Sequence, residues 1–120
     1  MVINPNSGPG NDTLSDPNYQ REIPKLNAIP NVRIIGYVHI EWATRDINVV
    51  LDEVSTYASW ANVVNGSDES CELQGIFFDE TPNNYTEKGI TYMQRIDEFV
   101  KASDDFGGVN YVKLPVPEIF

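Results

Sequence analysis

The sequence is poor in cysteine, in histidine and in positive charge. Cys71 is the single cysteine among 120 residues, which excludes an internal disulfide; its expected place is an unreactive buried or surface position near a strand. His39 is the single histidine, and without a Cys/His cluster no zinc pattern exists. Asp79, Glu80 and Glu41 do not have the spacing of a calcium loop. SGPG, residues 7 to 10, has neither the GxxxxGK nor the GxGxxG spacing of a phosphate-binding loop. No metal and no cofactor are therefore expected. Eight basic residues against eighteen acidic ones give a formal net charge of −10 and a pI near 4.3. Such a surface repels phosphate backbones, excludes nucleic acid as a partner and favours neutral or cationic ligands. No apolar run approaches the roughly 20 residues of a membrane span. No signal peptide is expected before Val2, and the chain is read as opening inside a strand. The oligomeric state has no signal in the sequence.

What is present is an ordinary globular composition, 41% hydrophobic, and a length that bounds the chain to one domain, residues 1–120, or part of one. MVIN (1 to 4) is a short apolar run stopped by the loop PNSGPGNDTLSDPN. Between Tyr19 and Ile29 the apolar residues are about one helical turn apart, but Pro24 interrupts them, so one or two irregular turns are expected. VRIIGYVHI (32 to 40) reads as a buried strand. Asp46 is a suitable N-cap for a helix over roughly 47 to 64, with Ile47, Val50, Leu51, Val54, Tyr57, Ala58 and Ala61 on one face. A third strand spans Leu73 to Phe78. Thr86 is positioned to cap a helix carrying Ile90, Met93, Ile96, Phe99 and Val100 on one face, ended by Gly107 and Gly108. Val109 to Leu114 is a fourth strand.

Strands and helices thus alternate, which predicts an α/β fold with a parallel sheet and right-handed crossovers. Two architectures fit: a small doubly wound sheet, or part of a (β/α)8 barrel of about 250 residues. In both, ligands gather at the carboxyl ends of the strands. Three strands deliver polar groups to that rim: Asn4, Asn6 and Ser7 from the first, His39, Glu41 and Trp42 from the second, Asp79 and Glu80 from the third. Neighbouring strand residues face opposite ways, so one acid of the pair is expected inward and the other over the rim. Two carboxylates at one site suit acid–base work on a glycosidic bond. The bland alternative has Glu80 capping the next turn and Asp79 bonding loop amides. His39 either bonds a sugar hydroxyl or is a satisfied structural histidine.

The segments VINPNSGPG (2 to 10), GYVHIEWATR (36 to 45) and GIFFDE (75 to 80), in this order and spacing, resemble the spherulin-4 family, also called spherulation-specific family 4. That family is similar to glycoside hydrolase family 135. The resemblance implies a (β/α)8 barrel, a secreted or cell-surface setting in fungi and other microbes, and cleavage of galactosamine-containing exopolysaccharide linked α-1,4. It implies that Asp79 and Glu80 are the catalytic carboxylates. It implies that Asn4, Pro5, Ser7, Gly8, Pro9 and Gly10 shape the sugar cleft, and it matches Gly36, Tyr37, Val38 and Arg45 to the second motif. Ile40, Trp42 and Ala43 depart from the family's threonine, tyrosine and glycine. Trp42 either stacks on a pyranose or packs under the following helix. Arg45 either pairs with a site carboxylate or anchors the loop.

By this resemblance the chain corresponds to about four consecutive βα units, strands 2 to 5, of a barrel. The family's earlier PLYxYP strand and its later strands, one bearing a further glutamate, have no match here; Glu118 has no motif around it and is not assigned that role. Such an open segment is expected to be of low stability, associated or inactive by itself. Asn11-Asp12-Thr13, Asn65-Gly66-Ser67 and Asn84-Tyr85-Thr86 are glycosylation sequons in expected loops, consistent with a secretory parent. Two functions are carried forward. One is a glycoside hydrolase-like cell-surface protein acting on polysaccharide or oligosaccharide. The other is a non-catalytic cell-surface or carbohydrate-binding protein on the same scaffold.

Overall fold

The computed structural model describes residues 1–5, 8–10, 17–62, 71–82, 86–107 and 109–115. Four strands, β1 (Val2–Ile3), β2 (Ile35–His39), β3 (Gly75–Asp79) and β4 (Tyr111–Lys113), alternate with three helices, α1 (Pro17–Asn27), α2 (Ile47–Ser59) and α3 (Glu87–Ala102). All strand pairs are parallel and the sheet order is β1-β2-β3-β4. The order runs one way, without the reversal that a doubly wound sheet has at its switch point.

The strands are shorter than their apolar runs. Backbone pairing, rather than hydrophobicity, limits them, and β2 and β3 share a five-residue register from Ile35↔Gly75 to His39↔Asp79. Asp79 is therefore the last residue of β3 and Glu80 the first beyond it. Two glycines let neighbours come close: a β-carbon on Gly75 would stand 1.8 Å from the Tyr111 carbonyl, and one on Gly36 would stand 2.6 Å from the Tyr57 ring.

The two sheet faces differ. Val38, Ile40, Ile76 and Phe78 point one way and are fully buried in a single core with Ile23 of α1, Val50, Val54 and Tyr57 of α2, and Ile96 and Val100 of α3. Each such side chain, fully buried, is worth about 1.5–3 kcal/mol over exposure. The helices thus share one face. The alternate residues Tyr37, His39, Phe77 and Asp79 lie on the other face and are half-buried.

The helices correct four expectations. The irregular turns expected around Pro24 form one continuous eleven-residue helix, with Pro24 inside it. The Gln20 carbonyl, which Pro24 cannot bond for want of an N–H, instead faces the buried Cys71 thiol at 3.9 Å. Helix α2 ends at Ser59 and tightens into a 3-10 turn, Trp60–Asn62; positions 63 and 64 lie outside the described residues. On α3, Ile90 and Phe99 are exposed, whereas Gly89, Ile96 and Val100 are buried, because the sheet covers a narrower stripe than the sequence period marks. That helix ends at Ala102, ahead of Gly107, and the Asn110 amide binds the Val100, Lys101 and Ser103 carbonyls. Both expected N-caps form: Asp46 accepts from the Asn48 N–H and Thr86 from the Gly89 N–H.

Candidate functional site

At the carboxyl edge of β2 and β3 each acid meets a different partner. The Tyr37 hydroxyl donates to Asp79 Oδ2 at 2.8 Å, and the Glu80 N–H donates to Asp79 Oδ1 at 2.8 Å. A carboxylate is acceptor-only, and here both its oxygens are engaged. Burial and the adjoining Asp79, with the Glu80 charge adding to them, push the Tyr37 hydroxyl up to about 12, so it remains a donor at neutral pH. Its ring stacks on Phe77 with centroids 6.1 Å apart. Glu80 has φ +61°, and its Oε1 lies 3.3 Å from His39 Nδ1. The register that pairs His39 with Asp79 thus gathers Tyr37, His39, Asp79 and Glu80. Glu80 lies past the regular strand, so strand alternation does not place it: its carboxylate comes back to His39, on the face that Asp79 shares.

The loop after β2 is unusual. Glu41, Trp42 and Ala43 have φ of 49°, 56° and 67°, a single left-handed turn of non-glycine residues. Such backbone costs roughly 1–2 kcal/mol per residue and clusters at functional sites. It is tied to the acid pair by the Trp42 N–H, which donates to the Glu80 carbonyl at 2.7 Å. Trp42 is 55% exposed, so it is not buried beneath the following helix. With Arg45, Pro82, Lys88 and Tyr92 it lines a groove of about 660 Å³, a size within the usual range of small-molecule sites.

Arg45 anchors the loop. Its Nη1 donates to the His39 carbonyl at 2.9 Å and to Glu53 Oε1 at 2.6 Å, and the Tyr92 hydroxyl donates to the Arg45 carbonyl at 2.9 Å. The Glu53 hydrogen bond, followed by its charge among the favourable causes, outweighs burial and raises the guanidinium pKa further. Of the two roles expected for Arg45, the described contacts give the second. Its carboxylate partner is Glu53 of α2.

Asn4 closes its own loop: its Oδ1 accepts from the Gly8 N–H at 3.0 Å. Ser7, like Asn6, lies outside the described residues, as do Glu118 and the asparagines of the three sequons. Among the described residues no three His, Cys, Asp or Glu side chains gather to hold a metal ion, and no helix is long and apolar enough to cross a membrane.

Sequence reasoning missed Glu53, Tyr92 and the polar use of Tyr57. The Tyr57 hydroxyl donates to the Tyr37 carbonyl at 2.8 Å and to the Ile3 carbonyl at 3.3 Å, joining β1 to β2. Burial holds that hydroxyl far above its ordinary pKa. The available signal was Glu53 itself, an acid at helical spacing with Val50, Val54 and Tyr57 on the apolar face of α2.

A one-way parallel sheet, helices on one face, and acids with aromatic and imidazole partners at the strand ends define an α/β protein with its candidate site on the carboxyl edge. Residues 1–114 match the family described as Spherulation-specific family 4, and the chain belongs to that family. It is 32% identical over 114 residues to spherulin-4 of Physarum polycephalum, covering 95% of this chain and 30% of the relative. The crystal structure of Aspergillus clavatus Sph3 in complex with GalNAc is similar with a TM-score of 0.87 and 42% sequence identity, over 94% of this chain and 44% of that one. The chain spans less than half the length of either relative.

Proposed function

We propose that this chain is part of a glycoside hydrolase acting at the cell surface on galactosamine-containing polysaccharide, with Asp79 and Glu80 as its paired carboxylates. Residues 1–120 then form one barrel-type segment, four consecutive βα units at strands 2 to 5 of a (β/α)8 barrel. The one-way strand order supports that winding, and the likeness to a GalNAc-bound relative supports the sugar class.

The observation that carries the catalytic reading is the different setting of the two acids. Asp79, accepting two hydrogen bonds, suits the anionic role of nucleophile or base. Glu80, beside His39, suits the acid that gives a proton to the leaving oxygen. Trp42 offers its exposed ring to the apolar face of a pyranose, and Asn4, at the end of the adjacent strand β1, is offered to a sugar hydroxyl; Ser7 is proposed for the same role by the family resemblance alone. The test is reducing-end release from galactosamine-containing polysaccharide. Asp79→Asn and Glu80→Gln are each expected to lower the rate by about a hundredfold or more; rates equal to the parent's would end this reading.

One observation favours a non-catalytic carbohydrate-binding role on the same scaffold: the exposed Trp42 ring is open to a sugar without help from either acid. Calorimetric binding of oligosaccharide without any release of reducing ends would select it.

A further inference from the structure

We propose that Glu53 is a positioning residue that sets the spacing of the loops after β1 and β2, which lie side by side on one flank of the acid pair. The proposal rests on reading that edge as a sugar cleft. The two oxygens of Glu53 face different loops. Oε1 holds Arg45 Nη1 at 2.6 Å, and the same Nη1 holds the His39 carbonyl at 2.9 Å, so the end of β2 and its loop hang from this carboxylate. Gly8 of the first loop lies against the other oxygen: a β-carbon there would stand 2.8 Å from Oε2. The Gly8 amide is in turn held by Asn4 Oδ1.

One helical turn further along α2, the Tyr57 hydroxyl bonds the Ile3 and Tyr37 carbonyls. Glu53 and Tyr57 therefore form a polar stripe on an otherwise apolar helix face, and both join the first strand-and-loop unit to the second. The side chains of Arg45 and Glu53 are only 16% and 20% exposed. Removing one partner leaves the other charge largely withdrawn from water, which is far costlier than losing a surface pair. Asp79 and Glu80 are held by Tyr37, by their own backbone and by His39, without Glu53. Glu53 thus acts on the walls of the cleft and not on the reacting acids.

The test compares the parent, Glu53→Gln and Glu53→Asp in the same protein. Three quantities are read: the Kd for N-acetylgalactosamine by calorimetry, kcat and KM on polysaccharide, and hydrogen exchange of the Gly8 amide. Glu53→Gln keeps the side-chain shape and removes the charge. It is expected to weaken binding and raise KM by about tenfold, to speed Gly8 exchange by a similar factor and to leave kcat within about twofold. Should Glu53→Gln not fold, Glu53→Asp decides: it keeps the negative charge while drawing the carboxylate back from Gly8 by one methylene, and the same rise in KM and Kd is expected. A lowered Tm with Kd, KM and Gly8 exchange unchanged would reduce Glu53 to a stabiliser of the fold and overturn the proposal. A parent protein that neither binds nor cleaves the sugar would sink the cleft reading, and Gly8 exchange would still decide whether Glu53 holds the loop.

Discussion

Replacing Tyr37 by phenylalanine isolates the hydrogen bond that fixes Asp79. The variant keeps the ring and its stacking on Phe77 and loses only the hydroxyl that donates at 2.8 Å. Hydrogen bonds to charged groups contribute about 1.5–3 kcal/mol. Tyr37 is half-buried, so water replaces part of the loss, and about 1–2 kcal/mol is expected at pH 7. The pH dependence supplies a second check. In the folded protein Tyr37 keeps its proton up to about pH 12, whereas an unfolded tyrosine releases it near 10. Between these values the unfolded chain binds fewer protons, so stability falls as pH rises. The advantage of the parent over Tyr37→Phe is therefore complete below pH 10 and shrinks from there through pH 12. Urea unfolding of both proteins at pH 7, 9, 10 and 11 measures it. Taking the difference between the proteins removes the alkaline contributions of Tyr57 and Tyr92, whose hydroxyls burial also raises. A constant difference from pH 7 to 11, or none at pH 7, would refute the reasoning that this hydroxyl holds Asp79.

Gly36→Ala would drive a methyl to 2.6 Å from the Tyr57 ring; overpacking of this kind costs about 1–3 kcal/mol, read as a lower urea midpoint. Ala43→Gly, at φ 67°, is expected to raise stability by about 0.5–1 kcal/mol by relieving the left-handed turn, and a lower midpoint would contradict that account. Asn110→Ala strips the Val100, Lys101 and Ser103 carbonyls of their amide donor and should cost about 1–3 kcal/mol, with faster amide exchange at the end of α3. Trp42→Ala removes an exposed ring, so stability should change by less than about 0.5 kcal/mol, while affinity for N-acetylgalactosamine falls about tenfold if the ring stacks on sugar.

The departures from the family's second motif acquire a physical meaning in the fold. Where the family carries glycine, Ala43 sits at positive φ, so the pattern reflects a left-handed turn that glycine enters without a steric cost. Ile40, in the place of threonine, points into the helix-covered core and is fully buried, which suits an apolar side chain. Pro24 shows the opposite limit. Its local signal broke a helix that forms nonetheless, because packing of Ile23 and a sulfur donor to the Gln20 carbonyl compensate for the missing N–H.

By itself the sequence determined the alternation of strands and helices, the caps at Asp46 and Thr86, and the delivery of His39, Asp79 and Glu80 to one edge. Each depends on spacing within a short segment, where a period of 2.0 or 3.6 and a capping side chain suffice. Only the tertiary structure decided which acid meets which partner, that Trp42 faces solvent, and that Arg45 reaches back to Glu53 on α2. Those outcomes depend on strand register and on the approach of segments far apart in the chain, and no local periodicity encodes either.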